Sequence, residues 1–222
     1  MAKLLWDQTG EKQYETGLSN GAVYVMAADG TYGNGVAWNG LMSLSESPSG
    51  AEPTKLYANN SVYLTMTSVE EFSASIEAYM SPVEFDVCDG QADIAAGVSV
   101  GQQTRRGFGL VYKTKIGNDV SEDAFGYKLH ILYGCKVTPS QKSYQTINDS
   151  PEANTLSWEV STTPVPVEGF KNTSTIVIDS TKIAADKLAL LEDKLYGTES
   201  TEATFLLPSE VLAIVSPTAV QG

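Results

Sequence analysis

The chain has 222 residues, 42% hydrophobic and 18% charged, which is enough to bury a sizeable core and excludes both disorder and a coiled coil. Its net charge of −13, from 14 basic and 27 acidic residues, excludes a surface that grips nucleic-acid phosphate broadly. No apolar run approaches the roughly 18 residues of a membrane-spanning helix. The opening Met1-Ala2-Lys3-Leu4-Leu5-Trp6-Asp7 lacks the apolar stretch and small-residue cleavage site of a signal peptide, so the expectation is a product that stays in the cytoplasm where it is made.

Strands are predicted over 21–28 and 33–44, divided by the turn signal Asp29-Gly30. Segment 45–60 has two prolines and no hydrophobic period, which predicts a long structureless loop. Loops of that length in a compact domain are usually functional or disordered. Pro48, Glu52, Leu56 and Tyr57 are its candidates for docking against another surface. Val62, Leu64 and Met66 then alternate with Tyr63, Thr65 and Thr67, and Phe72, Ala74, Ile76 and Ala78 with Ser73, Ser75 and Glu77. Each run predicts a strand with one packed face and one wet face. Glu71 and Glu77 are six apart and share a face, while Glu70 points the other way.

Ser81-Pro82-Val83-Glu84 has the form of a capping box and predicts a short helix that stops at Gly90. Strands follow over 107–116 and 126–138, on either side of Gly117-Asn118-Asp119. After the turn signal Asn148-Asp149-Ser150-Pro151, Leu156, Trp158 and Val160 alternate with Ser157, Glu159 and Ser161 in a strand over 154–163. Pro164-Val165-Pro166 separates it from a last strand over 173–179. Ala184, Leu188, Leu191 and Leu195 then make one apolar stripe on a helix over 182–196, ended by Gly197. That stripe suits a helix covering one open face of a sheet. Residues 208–222 read as a C-terminal tail. The expectation is one mainly β domain over 1–222, a β-sandwich or half-barrel with one flanking helix and a short second one.

Residues that could carry chemistry are few. Cys88, Cys135 and His130 are the whole supply of cysteine and histidine, which is thin for a zinc site. His130 and Cys135 are five apart in a strand, so they are expected on opposite faces, with the histidine half exposed and both thiols packed and reduced. Gly33-Asn34-Gly35 lacks the third glycine and the following helix of a phosphate loop. Gly17-Leu18-Ser19-Asn20-Gly21 lacks the helix of a nucleophile elbow. Acidic pairs such as Glu70-Glu71 and Glu192-Asp193 show no fixed spacing across a cleft. No catalytic residue, metal ligand or cofactor is assigned, and a non-enzymatic protein is expected.

Charge is unevenly placed: residues 1–100 sum to −10, residues 101–142 to +4 and residues 143–222 to −7. A basic middle between acidic flanks suits either a mixed surface or head-to-tail self-association. Arg105 and Arg106, flanked by Phe108 and Tyr112, are the candidate basic patch for such an interface.

Several blocks carry a family likeness. They begin with the stretch from Gly40 to Asn60, containing Ser47-Pro48-Ser49-Gly50-Ala51-Glu52-Pro53-Thr54 and Leu56-Tyr57-Ala58. Glu71-Phe72, Ile76-Glu77-Ala78-Tyr79, Cys88-Asp89-Gly90, Gly101-Gln102-Gln103-Thr104-Arg105 and Gly117-Asn118-Asp119 follow. The last are Asn148-Asp149-Ser150-Pro151-Glu152, Trp158-Glu159-Val160 and Thr162-Thr163-Pro164-Val165-Pro166-Val167. In this order, across most of 35–215, the chain resembles the major tail protein, or tail tube protein, of long-tailed bacteriophages.

The resemblance implies a half-barrel subunit with a flanking helix, six copies closing into a ring barrel, and rings stacking into the tube through which the genome leaves. It implies a virion protein assembled in the host cytoplasm. Its partners would be further copies of itself and tape measure, terminator and distal tail proteins, with DNA passing through unbound and no membrane partner. It implies no active site and no cofactor. Glu71 and Glu77 are then the candidates for the lumen wall. The alternative from the residues is a soluble β-sandwich binding module, for instance one for carbohydrate, which would gather aromatics on one exposed face. Trp6, Trp38 and Trp158 are instead scattered, in apolar registers.

Overall fold

The computed structural model describes residues 3–147, 149 and 153–216. The predicted turn at Asn148-Asp149-Ser150-Pro151, apart from Asp149, and the end of the tail beyond 216 lie outside them. The strands are β1 (Gln13–Met26), β2 (Tyr32–Ala37), β3 (Leu41–Gly50), β4 (Pro53–Ala58), β5 (Ser61–Thr67), β6 (Glu70–Ala78), β7 (Ala92–Ala95), β8 (Val98–Val100), β9 (Phe108–Asn118), β10 (Glu122–Thr138), β11 (Leu156–Thr162) and β12 (Thr175–Asp179). The helices are α1 (Ala185–Tyr196) and α2 (Pro208–Val215). The chain is mainly β, as the alternation predicts.

Eight strands form one antiparallel sheet in the order β2-β1-β9-β10-β11-β6-β3, with β12 also paired to β10. The sheet curls until β3, its last strand, returns towards β1. Leu41, the first residue of β3, packs its side chain against Gly21 on β1. Inside the curl, Val23, Phe108, Leu110, Leu132, Cys135, Val137, Ala74, Ile76, Ala78, Trp158 and Val160 pack into one apolar cluster. Its centre is aromatic: Phe85 lies 4.6 Å from Trp38 and 5.2 Å from Phe108, ring centroid to centroid. The opposite face carries a second cluster under the helices, where Tyr24, Val111, Leu129, Ile131 and Tyr133 meet Leu188, Leu191 and Leu195 of α1 and Val211 of α2. The three leucines of the predicted stripe are therefore the buried side of the flanking helix, while Ala184 is exposed and precedes its first turn; each fully buried leucine contributes about 1.5–3 kcal/mol.

β10 holds the two halves together. Lys128 to Leu132 pair with β12, whereas Cys135 to Thr138 pair with β11. Between them the β9 register shifts, and Gly134 takes φ 58°. This bulge reverses the alternation, so Leu132, Cys135 and Val137 share the inner cluster while Ile131 and Tyr133 belong to the outer one. The expected separation of His130 and Cys135 onto opposite faces is thereby corrected. The extra residue turns an odd spacing into the same face, and His130 is buried rather than half exposed.

Other expectations change for local reasons. The predicted strand over 33–44 is two strands, broken at Trp38-Asn39-Gly40. Segment 45–60 is no loop: β3 runs through it to Gly50, and β4 follows. Its prolines are tolerated because β3 is an edge strand and Pro53 opens β4, positions where a missing N–H costs little. The short helix after Ser81 is a single 3₁₀ turn, Val83–Phe85, with no side-chain cap, held by the burial of Phe85 and Cys88. The N-terminal part of β1, the β7–β8 hairpin and α2 had no sequence expectation. In α2, Pro208 opens the helix and the Glu210 side chain accepts the Leu207 N–H at 2.8 Å, so part of the predicted tail is helical.

At Gly134 an added Cβ would overlap the Thr163 carbonyl oxygen, on a backbone that L-residues rarely adopt. Gly134→Ala is expected to lower stability by at least about 2 kcal/mol in urea unfolding. Gly30→Ala, at φ 87° with open space around it, is the control and should cost less. Equal losses would show that the bulge is not tightly constrained.

Candidate assembly interface

Beyond Gly50 the β3–β6 hairpin continues as a separate two-stranded ribbon, β4–β5. Ala51 bends the chain with φ 55°, and Asn59 and Asn60, at φ 50° and 61°, close the tip as a turn whose two central residues are both left-handed. The expected packed face of 62–67 does not exist within the subunit, because every residue of β5 is exposed. Tyr63 is 76% and Val69 82% exposed, and Leu56, Tyr57, Val62, Leu64 and Met66 are exposed with them. An isolated two-stranded hairpin is marginally stable in water, and a contiguous apolar surface of this kind marks an interaction site. Leu56 and Tyr57 thus sit on the apolar arm, Glu52 at its root, and Pro48 on β3 opposite Phe72.

The outer face of the sheet has two unlike halves. Over β1, β9, β10 and β12 the helices cover it. Over β3, β6 and β11 it is bare, and its residues are small and polar. Ser43, Ser45, Ser47 and Ser49 lie opposite Glu77, Ser75, Ser73 and Glu71, and Ser157, Glu159 and Ser161 continue the same face on β11. Glu71 and Glu77 share this face as predicted, and Ser43 donates to Glu77 at 2.8 Å. Sequence reasoning missed Glu159 as their companion, although its alternation with Trp158 and Val160 carried the signal.

The basic middle is largely consumed within the subunit. Lys113 pairs with Glu192 at 2.7 Å, Lys115 with Asp123 at 2.6 Å and Lys142 with Asp89 at 2.5 Å, while Lys128 pairs with Glu15. Arg105 and Arg106 differ in their surroundings. Arg105 packs half-buried beside Gly90, and exposed Arg106 is anchored by its backbone N–H to Val87. Among the described residues neither forms an ion pair.

One polar cluster gathers around buried His130 at the edge of the inner core. His130 stacks on Tyr112 with centroids 4.5 Å apart, and its Nε2 lies 2.9 Å from Thr114 Oγ1 and 3.6 Å from Glu15. Its Nδ1 lies 3.9 Å from Glu46, whose carboxylate accepts the Tyr112 hydroxyl, and has no hydrogen-bond partner. Burial holds the His130 pKa below its usual value, despite the upward pull of Glu46 and Glu15. Burial pushes Glu15 up, but hydrogen bonds from Lys128 and Thr114 outweigh it and leave its carboxyl low. Neither thiol is poised to react: burial pushes Cys88 up to about 12 and Cys135 higher still. Among the described residues no three His, Cys, Asp or Glu side chains gather to hold a metal ion.

A histidine held neutral by burial favours folding less as protons become available to the unfolded chain. Stability is fully present above the unfolded pKa of about 6.5 and falls as the pH drops below it. Glu15, with a lowered pKa, loses its contribution only below about 4.5. Between pH 7.5 and 5.5 the melting temperature is therefore expected to drop in the wild type and to drop less in His130→Gln. Parallel curves would mean that His130 titrates as it does in the unfolded chain.

No protein-family model matches this chain, and no curated protein matches it. Among solved structures, a chain of the "Cryo-EM structure of the anti-feeding prophage (AFP) baseplate, 6-fold symmetrised" matches with a TM-score of 0.38 at 10% identity, over 80% of this chain and 97% of that one. A superposition this loose carries no functional weight.

Proposed function

We propose that this protein is a structural, non-catalytic subunit of a phage tail tube, six copies closing into a ring and rings stacking into the conduit for the genome. The observation that carries the reading is the β4–β5 arm, an apolar ribbon that one subunit leaves uncovered. The family resemblance of the sequence points the same way. Open edges add to it: β3 ends the sheet, and unpaired edges recruit further strands unless something covers them.

The bare half of the sheet supplies the wall. β3, β6, β11 and the end of β10 give four strands per subunit, or about 24 in a hexamer. At a spacing of about 4.8 Å and a tilt of about 40°, the circumference is roughly 150 Å, and the bore is roughly 38 Å once side chains are allowed for. A duplex passes through such a bore. A wall of serine with Glu71, Glu77 and Glu159 repels phosphate, so DNA is a passenger. Tape measure, terminator and distal tail proteins are the expected partners at the tube's ends. The rival carbohydrate-binding reading wants tryptophans gathered on one exposed face, but Trp38 and Trp158 are core residues and of the three only Trp6 is exposed.

Replacing 52–68 by a two-residue Asn-Gly turn removes β4 and β5 but should leave the cooperative thermal unfolding of the subunit intact, because Gly50 and Glu70 already face each other as paired residues. Negative-stain microscopy is expected to show tubes for the wild type at high concentration and none for the shortened protein. Tubes from both would remove the arm from assembly. A wild type that stays monomeric at millimolar concentration would overturn the proposed function.

The wall has its own test. Changing Glu71 and Glu77 to lysine should leave tube assembly intact but slow DNA ejection from phage carrying the change, with the defect relieved by added salt. Normal ejection at low salt would place those carboxylates away from the DNA.

A further inference from the structure

A groove of about 950 Å³ runs beside β12, between the segment around 167–173 and the two helices. Ile176, Ile178, Val211 and Val215 are among its lining residues, with Phe170 and half-exposed Val177. Of the three lysines around it, Lys182 pairs with Asp179 at 3.0 Å and Lys187 donates to the Val215 and Ser216 carbonyls at 2.7 Å, which leaves Lys171 at the rim. β12 pairs with β10 along one edge, and among the described residues its other edge carries no strand.

We propose that this groove is the receptor for the β4–β5 arm of a second copy of the chain. The proposal rests on the tube reading and names where the arm docks. Three features of the arm match the groove. Beyond Lys55 on β4, its residues 56–69 carry no charge, which suits an apolar lining, while Glu52 and Glu70 at its root meet Lys171 at the rim. Among the described residues β4 and β5 pair only with each other, so each offers a free edge to β12. The seven residues of β5 extend about 24 Å, more than the roughly 17 Å of the five-residue β12. The arm springs from the bare half of the sheet and the groove lies on the helix-covered half, so the contact is head-to-tail. Repeated contacts of that kind close a ring or continue a stack.

Cysteine trapping tests this cleanly, because Cys88 and Cys135 are both buried. Cysteine is placed singly at Tyr57, Tyr63 or Met66 on the arm, together with Val177→Cys in the groove, and the assembled protein is oxidised. A ladder of disulfide-linked multimers on a non-reducing gel is expected for at least one pair and for none of the single variants. Val177→Asp should leave the melting temperature of the subunit unchanged and abolish tubes. Tubes that form with no ladder from any pair, or that grow normally with Val177→Asp, would overturn the groove as receptor while leaving the tube function standing. A ladder from Trp6→Cys with Val177→Cys, and from no arm position, would assign the groove to the N-terminal segment and overturn the proposal. A wild type that never self-associates would overturn both.

Discussion

One backbone conformation, the left-handed bulge at Gly134, sets the plan of this subunit. Before it, β10 belongs to a sheet whose outer face is apolar and roofed by α1 and α2. After it, the same strand belongs to a sheet whose outer face is serine and glutamate. Were the same sequence to run through as a regular strand, with no bulge to absorb a residue, Cys135 and Val137 would turn out of the inner core. Close approach to the Thr163 carbonyl leaves room only for glycine there. A single residue thus divides the molecule into a buttressed half and a bare half.

The two halves face different physical problems. The buttressed half solves its own: Leu188, Leu191 and Leu195 fill the space over the sheet, and the Tyr24 hydroxyl donates to the Leu195 carbonyl beneath α1. The bare half does not. It has a polar face that needs no cover, an edge strand with no neighbour, and an apolar ribbon that water disfavours. Proteins that remain monomeric blunt such edges with charge or bulges. Here a single charge, Lys55, lies on the ribbon and residues 56–69 beyond it are uncharged, so most of its apolar surface is left unguarded.

How far the sequence carried this picture depended on which force shaped each element. β6, β11 and α1 were legible because each packs one face on a core, so hydrophobic period and structure agree. The stretch 45–60 was not, because β3 there shows serine to the outside and makes few core contacts, leaving no apolar period to read. Pro48 and Pro53 looked like breakers, and only their places on an edge and at a strand start make them harmless. β5 misled in the opposite sense: its alternation was real, but the packed side it promised is absent from one subunit. The His130–Cys135 relation failed because a bulge needs one glycine and leaves no mark on composition. Glu71 and Glu77 kept their shared face, since six residues of unbroken strand separate them. The basic middle suggested an interface, but most of its lysines find acids within the fold.

The central claim is that the bare half is completed by other copies of the same chain. Cryo-electron microscopy of the concentrated wild-type protein tests it most directly. A hollow six-fold tube with a bore of roughly 38 Å is expected, its wall formed by β3, β6 and β11 with Glu71, Glu77 and Glu159 facing the lumen. A tube lined by α1 and α2, or a closed particle with the polar sheet outermost, would contradict it.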